Sequence, residues 1–264
     1  MKSVSFSKLA IAAAVVIVSG TALAQTKAPE PDYTLSYNVG AVSDYRFRGI
    51  SQTSKKPAVQ GGIDFAHKSG FYLGAWASNV KWVKDFNGAT KGSYELDLYG
   101  GYKGEIAKDL TFDVGVITYR YPGNNSGAAG TPGAGAFSKA DTNEYYGALT
   151  YGMFTAKYNR SAGDFLGNLH SSGSGYLDLS AAIDLGNGFS LTPHVGHQKV
   201  SNTSIANYTD YALTLSKDFG NGLSASVAAI GSNGKRAFYT NTFVSNTGKF
   251  IADDTLVLGV KYSF

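Results

Sequence analysis

The residues best suited to chemistry in this chain form a charged cluster between positions 44 and 56. Asp44, Arg46 and Arg48 alternate, so they share one face if an extended strand continues through them. Lys55 and Lys56 follow in the same stretch. Guanidinium and ammonium groups attract anions and bind phosphate groups. The spacing therefore predicts an anion-attracting charge cluster and no catalytic centre.

A second set of charged residues occupies the polar positions of alternating apolar and polar segments. Such positions share one face of a strand. The set comprises Asp64, Glu95, Asp97, Asp113, Glu144, Lys157 and Asp178. Most of these are acids, whereas the long segments that join the alternating runs are basic. Two interpretations stay open: the acids pair with Lys157 or Arg46 while the basic segments bind lipid phosphates, or the basic segments steer anions toward a polar interior.

Arrangements for catalysis or metal binding are weak in this sequence. His194 and His197 are three residues apart, so a strand places them on opposite faces and they do not form a chelating pair. The chain has no cysteine and no G-x-S-x-G nucleophile motif. We therefore predict no enzyme, no metal and no cofactor. A lipid hydrolase that uses His197 on an outer face is the enzymatic alternative, although no serine lies clearly beside it.

The N-terminus has the features of a secretory signal peptide. Lys2 and Lys8 are followed by an apolar run and by the small-residue cleavage site Ala22-Leu23-Ala24. We predict a signal peptide at residues 1–24 and a flexible segment at 25–32, which is polar and contains two prolines. A single anchoring helix is the alternative for the first segment. The formal charge of the whole chain, +4, is too small to predict nucleic-acid binding.

Residues 33–264 consist of runs that alternate apolar and polar side chains. The last run shows the pattern clearly: Leu256, Leu258, Val260, Tyr262 and Phe264 alternate with residues that are mostly small or polar. Twelve such runs occur, and no later segment has the long apolar stretch of a membrane helix. An even number of two-faced strands predicts an all-β fold, a single transmembrane antiparallel up-and-down β-barrel whose apolar face meets lipid. We expect the last run to pair with the first, Tyr33 to Ala41.

The connections between the runs alternate in length. Short turns occur near Lys68, Ala107, Gly152, Gly186 and Asn221. The long connections cover residues 44–57, 81–92, 122–142, 160–175, 199–207 and 231–250. Short turns at one rim and long loops at the other are typical of outer-membrane barrels.

Three structural details are not decided by the pattern. The Gly-rich loop 122–142 either folds into the bore or lies outside it, and the run from Phe71 to Trp82 does not show which face meets lipid. We expect Trp76, Trp82 and the many tyrosines to lie in belts at the membrane interface. A track on which sugars stack is the alternative for these aromatic residues.

Several motifs of the chain resemble those of one bacterial family. The runs SDYRFRGISQT (43–53), PAVQGGIDF (57–65) and GFYLGAWASNV (70–80) are similar to the TorF-type porin family, as are YELDLYGGYKGE (94–105), YPG (121–123) and NEYYGAL (143–149). The resemblance covers essentially the whole mature chain and is densest in its first third. It implies an outer-membrane, porin-like barrel and leaves the substrate undefined.

Together these features predict an outer-membrane, porin-like channel for passive diffusion of small hydrophilic solutes. The alternative is a non-conducting barrel whose long basic loops bind lipopolysaccharide or a partner. The expected partners are outer-membrane lipids, lipopolysaccharide, small solutes and the barrel-assembly machinery, which would recognise the strand ending at Phe264. No nucleic-acid partner is expected.

Overall fold

The computed structural model describes residues 31–241 and 248–264. The predicted signal peptide and most of the predicted flexible segment lie outside these residues. The alternating segments form long strands here, because a strand places successive side chains on opposite faces and so separates the apolar from the polar residues. The strands are β1 (Tyr33–Val42), β2 (Arg46–Phe47), β3 (Ile50–Ser51), β4 (Ala58–His67), β5 (Phe71–Asn79), β6 (Tyr94–Ala107), β7 (Leu110–Arg120), β8 (Thr142–Tyr151), β9 (Phe154–Ser161), β10 (Gly175–Ala181), β11 (Ile183–Gly186), β12 (Phe189–Lys199), β13 (Tyr208–Gly220), β14 (Leu223–Ser232) and β15 (Thr255–Ser263).

The long strands close into a twelve-stranded antiparallel β-barrel, as predicted. Each pairs with its neighbour along the chain, and β10 and β11 count as one strand interrupted at Ala182. Closure occurs between the first and last strands, where Val39 pairs with Tyr262, which confirms the expected pairing of the chain ends. The short strands β2 and β3 form a separate hairpin outside this sheet. The short turns, the first residue of β1 and the last residue of β15 lie at one end of the barrel, which we call the turn end. We call the opposite end the loop end.

The outer face of the barrel is apolar, as the alternation predicts. The side chains of Leu256, Leu258 and Phe264 on or next to β15 are all more than half exposed. On β5, Phe71 and Leu73 are exposed on the same outer face, whereas Trp76 and the other even-numbered residues of this strand point inward. The structure thus resolves the face that the sequence left undecided.

Close contacts between glycine and tyrosine recur on the inner wall. A tyrosine ring lies over a glycine on the neighbouring strand, where any larger residue would collide with it. A Cβ atom added to Gly115, for example, would lie 2.6 Å from the Tyr146 hydroxyl oxygen. The directly paired examples are Gly74 with Tyr99, Gly101 with Tyr72, and Gly115 with Tyr146. These glycines let a wide aromatic layer fit inside a narrow barrel.

The hydrophobic core lies among the long loops. Two clusters of buried apolar side chains pack there, one around Ile50, Phe165 and Ile251 and the other around Val83 and Tyr121. The loops also contain the short helix α1 (Trp82–Asp85) and a 3-10 helix (Ser204–Ala206). We call the packed loop segments 43–57, 80–93, 121–141, 162–174, 200–207, 233–241 and 248–254 the cap. Among the residues that the structure describes, no helix is long and apolar enough to cross a membrane.

The predicted positions of the two tryptophans at a membrane interface are wrong. Trp82 is only 4% exposed and packs edge-on against Tyr121 inside the cap. Trp76 points into the barrel and borders an interior cavity. Both residues lie near the loop end. Trp82 enters the cap because it belongs to α1, and Trp76 points inward because the even-numbered residues of β5 face the interior.

Loop 122–142 belongs to the cap and does not line the interior cavities. Its Phe137 ring packs on Phe86, and the Ser138 amide donates a hydrogen bond of 2.8 Å to the carbonyl of Gly167. Of the two arrangements that the sequence allowed for this loop, the structure therefore shows the outer one. The chain enters the bore instead through the first long loop.

Candidate functional site

The feature that most alters the bore is a hairpin in the first long loop. We call residues 44–57, which contain β2 and β3, the inner hairpin. Arg48 and Gly49 have positive φ angles of 49° and 79° and form its two-residue turn, the geometry that joins the strands of a tight hairpin. Asp44, Arg46 and Arg48 therefore do not share one face as predicted, because β1 ends at Val42 and the turn reverses the chain at Arg48.

The guanidinium of Arg48 lies against the far wall of the barrel. It donates hydrogen bonds to both carboxylate oxygens of Glu144, at 2.6 and 3.1 Å, and to the side-chain oxygen of Gln198 at 2.8 Å. Its Cζ atom also lies over the ring of Tyr176, 4.3 Å from the ring centre. Only 7% of the Arg48 side chain is exposed, and 1% of the Glu144 side chain. The pair is thus a desolvated bidentate ion pair, a strong and geometrically specific contact.

These contacts show that the inner hairpin crosses the bore. It leaves the barrel at β1, whereas its tip touches Glu144 on β8, Gln198 on β12 and Tyr176 on β10. In the closed strand order these strands lie opposite β1. A Cβ at Gly49 would lie 2.6 Å from that of Asp210 on β13, so the tip also fits closely against this wall. Each contacted residue lies within three residues of the strand end that joins a long loop, which places the crossing at the loop end.

A second ion-pair group holds the base of the inner hairpin. The Arg46 guanidinium binds the Asp44 carboxylate at 2.8 Å and the Asp253 carboxylate at 3.2 Å. Lys55 pairs with the same Asp253 at 2.5 Å, whereas Lys56 is exposed. Four of the five residues in the predicted charge cluster are therefore paired with carboxylates or are carboxylates themselves. The inner hairpin is therefore largely neutralised, by Asp44 within it and by Glu144 and Asp253 far along the chain.

Neighbouring charges shift the pKa values of Arg48 at the hairpin tip and of Asp253 at the hairpin base. Burial acts to lower the pKa of Arg48, but the charge and the hydrogen bonds of Glu144 outweigh it and hold that pKa above its ordinary value. Burial acts to raise the pKa of Asp253, but hydrogen bonds from Lys55 and Arg46 outweigh it and hold that pKa below its ordinary value. Both groups are therefore stabilised in their charged forms.

The predicted lumen-lining residues all lie on the inner side of the barrel, but they do not form one cluster. The Tyr99 hydroxyl donates to Asp64, and the Tyr72 hydroxyl donates to Asp113 at 2.5 Å. The Lys157 ammonium lies 3.9 Å from the ring centre of Tyr146. Asp178 lies 3.2 Å from His194, which also contacts Asp210 at 2.9 Å.

Glu95 and Asp97 form a separate buried pair beside the inner hairpin. They are 1% and 7% exposed, and neither has a lysine or arginine within ion-pair distance among the described residues. The Tyr45 hydroxyl donates to Glu95 at 3.3 Å. One oxygen of each carboxyl group has no hydrogen-bond partner in the described part of the chain. This pair therefore lies buried near the crossing and does not anchor the hairpin through an ion pair.

Two polar cavities lie inside the barrel. The large cavity, about 490 Å³, is bordered by Asn38, Gln60, Asp64, Trp76, Ser226 and Lys261. The small cavity, about 320 Å³, lies under the hairpin tip and is bordered by Arg48, Lys157, Tyr176, Asp178, His194 and Asp210. Serine and glycine face the large cavity from β13, β14 and β15, whereas tyrosines fill the opposite wall. The interior is therefore polar and wider on one side. In residues 31–241 and 248–264, no group of three or more His, Asp or Glu is arranged to hold a metal ion.

Sequence reasoning missed several residues that complete this site. Gln198, Asp210 and Asp253 are each far from the inner hairpin along the chain, and Asp253 lies in a loop without any recognisable motif. His194 was considered only as a metal ligand, whereas the structure pairs it with two carboxylates. The one available signal was that Gln198 and Asp210 occupy polar positions of alternating segments, which predicts that their side chains face the interior.

Comparisons with solved structures support the barrel fold. A KdgM porin superimposes with a TM-score of 0.51 at 8% identity, covering 87% of this chain and 98% of that chain. A structure of the KdgM porin in complex with disordered oligogalacturonate has a TM-score of 0.50 at 10% identity, with the same coverage. A NanC porin gives 0.52 at 11% identity, covering 87% of this chain and 99% of that chain. At these identities the likeness shows the fold alone.

The family comparison covers nearly all of the chain. A search of curated proteins finds no match. Residues 26–264 match the family described as "Bacterial protein of unknown function (Gcw_chp)". These comparisons do not confirm the TorF-type name that the sequence motifs suggest. Because the match spans the whole barrel, the chain belongs to the Gcw_chp family.

Proposed function

We propose that this protein is a bacterial outer-membrane channel for passive diffusion of small hydrophilic solutes, with the inner hairpin as its narrowest point. The observation that carries the proposal is a polar bore crossed by a hairpin that two ion-pair groups hold in place. A barrel of twelve strands lies between the small barrels that side chains fill and the wide porins. Its permeability is then decided by what fills the bore.

The two faces of the barrel wall support this location and mechanism. Apolar side chains cover the outer face, and the interior cavities are bordered by amide, hydroxyl and charged groups. A barrel with that division meets lipid outside and water inside. We propose that Asp64, Lys157 and Asp178 line the solute path, and that Lys56 with the unpaired loop lysines faces the exterior.

The porin neighbours agree with a channel. KdgM is named as a porin, and one of its structures is a complex with disordered oligogalacturonate. For the present chain we propose only the broader class of small hydrophilic solutes. The signal peptide at residues 1–24, and recognition of the last strand by the barrel-assembly machinery, remain part of the same proposal.

The alternative is a non-conducting barrel whose loops bind lipopolysaccharide or a partner. The observation that favours it is the cap, which packs apolar side chains from most of the loops into two clusters. In that case the cap closes the loop end permanently, and its exposed lysines contact phosphate groups.

Liposome swelling and planar-bilayer conductance distinguish the two. Purified full-length mature protein is reconstituted into liposomes, and swelling is measured in uncharged solutes of increasing size. A channel gives rates that fall steeply with solute size and discrete conductance steps in bilayers. The control is the same preparation after thermal unfolding. Absence of both swelling and conductance steps from folded protein would exclude the channel and favour the binding barrel.

A further inference from the structure

Trp76 is held at the edge of the large cavity with its polar group unused. Tyr45 of the inner hairpin packs edge-on against it, with ring centres 5.3 Å apart. Gly62 on the neighbouring strand leaves room for it, since a Cβ there would lie 3.3 Å from the indole and 3.1 Å from the Asn38 amide nitrogen. No described residue accepts a hydrogen bond from the indole N–H. The Trp76 ring therefore borders the interior cavity, and its indole N–H has no acceptor among the described residues.

The surroundings of Trp76 are polar but balanced in charge. Asn38 and Gln60 supply amide donors and acceptors, and Ser226 adds a hydroxyl. The charged residues at the cavity are Asp64 and Lys261, one of each sign. The small cavity differs, because Arg48, Lys157 and His194 border it together with two aspartates. Neither an anion nor a cation is favoured at the large cavity by net charge.

This combination fits one class of solute. A pyranose ring presents C–H groups on its faces, which pack on an aromatic surface, and hydroxyl groups around its edge, which need amide, carboxylate and hydroxyl partners. The cavity volume of about 490 Å³ falls within the range of small-molecule sites. We propose that the large cavity is a binding site for an uncharged sugar of one or two rings, with Trp76 as its stacking surface. This inference rests on the proposed channel function and names its solute class.

The chain allows a direct test because it contains two tryptophans, Trp76 and Trp82. In Trp82→Phe, Trp76 becomes the single tryptophan reporter. Folded full-length mature protein is titrated with maltose, with galacturonate and with choline, and tryptophan emission is followed. We expect a saturable change with maltose and weaker binding of the two charged probes, because the cavity has no net charge to offset theirs. The matched control is Trp76→Phe, whose remaining reporter lies in the cap and should show no saturable change.

A second pair of variants separates sugar binding from general quenching. Asn38→Ala and Gln60→Ala in the Trp82→Phe background should each weaken maltose binding roughly tenfold or more, because each removes an amide that pairs with a sugar hydroxyl. No saturable maltose signal from folded Trp82→Phe protein that still conducts ions overturns the sugar site and leaves the channel intact. A signal that saturates with galacturonate in preference to maltose also overturns it. Saturable maltose binding without any conductance would support the site and exclude the channel.

Discussion

The loop end and the turn end of this barrel are filled by opposite kinds of side chain. At the loop end, Ile50, Val83, Phe165 and Ile251 pack into apolar clusters like those of a water-soluble domain. Toward the turn end, the interior is bordered by amides, hydroxyls and carboxyls around open space. The same chain thus has a soluble-type core at one end and a polar bore at the other.

This difference separates the part of the barrel that packs apolar side chains from the part that has a polar interior. The cap contains the groups that exclude water, and the inner hairpin ties it to the far wall through Arg48 and Glu144. The cavities below it depend on hydrogen bonds and close glycine–tyrosine contacts. Substitutions at the loop end should therefore alter closure of the bore, whereas those below should alter the wall itself.

The largest expected effect follows from removing the inner hairpin. Replacement of residues 46–55 by a Gly-Ser linker removes the segment that crosses the bore, so single-channel conductance should rise by roughly twofold or more. The matched control replaces residues 127–136, which belong to the cap and do not border the cavities. Planar-bilayer recording measures both. Unchanged conductance in the first variant, or an equal rise in the control, would show that the hairpin does not limit the path.

The next effect concerns the ion pair that holds the hairpin tip. Arg48→Met leaves the carboxylate of Glu144 buried without its cation, so the free energy of unfolding should fall by about 3–5 kcal/mol. Glu144→Gln in the same chain should recover most of this loss. Arg120→Met is the control, because the Arg120 side chain is 44% exposed and lies 4.0 Å from Asp141. Its loss should cost less than about 1 kcal/mol. Guanidinium unfolding of reconstituted protein provides the values.

A smaller effect is expected on the inner wall. Gly115→Ala places a Cβ 2.6 Å from the Tyr146 hydroxyl and 2.7 Å from the carbonyl oxygen of Gly100. The overpacking should lower the free energy of unfolding by about 1–3 kcal/mol. Gly147→Ala is the matched control on the adjacent strand, since its Cβ would meet nothing nearer than 3.9 Å. Equal stability of the two variants in the unfolding experiment would contradict the glycine–tyrosine fit.

The smallest effect is a pH dependence at the hairpin base. The pKa of Asp253 is held below its ordinary value in the folded protein. Its contribution to stability is therefore fully present above the ordinary pKa of a carboxyl group and is lost as the pH falls through the folded pKa. The pair with Lys55 is one-third exposed, so Asp253→Asn should cost only roughly 0.2–1 kcal/mol at pH 7. The difference in unfolding free energy between variant and wild type should shrink below about pH 4. A difference that is constant from pH 7 to pH 3 would argue against this role.

Much of the fold could be read from local patterns. The alternation in the run from Leu256 to Phe264 depends only on the two-residue repeat of a strand, and β15 follows it with its apolar side chains outward. Pairing of the first and last strands followed from the need to leave no free edge. The run from Phe71 to Trp82 could not be resolved this way, because both of its faces contain aromatic residues.

The candidate site was predicted less completely. The sequence identified Arg48, Glu144 and Asp178 as charged residues of interest. It placed Arg48 on a strand face in the loop charge cluster, however, and Glu144 in the separate set of lumen-lining residues. A turn at Arg48 and Gly49 overrides the simple alternation there, because positive φ angles reverse the chain. Partners such as Gln198 and Asp253 are separated from the hairpin by about 150 residues or more, as the separations of 150 and 207 show.

By itself, the sequence determined the two-faced strands, their number and the alternation of short turns with long loops, because these depend on interactions within a strand or between neighbours. Only the tertiary structure decided which loop enters the bore, which carboxylate receives Arg48 and where the tryptophans lie. Those outcomes depend on barrel closure, which brings residues from opposite walls within hydrogen-bond distance. The arrangement of side chains inside the bore therefore depends on long-range contacts, which no local sequence pattern encodes.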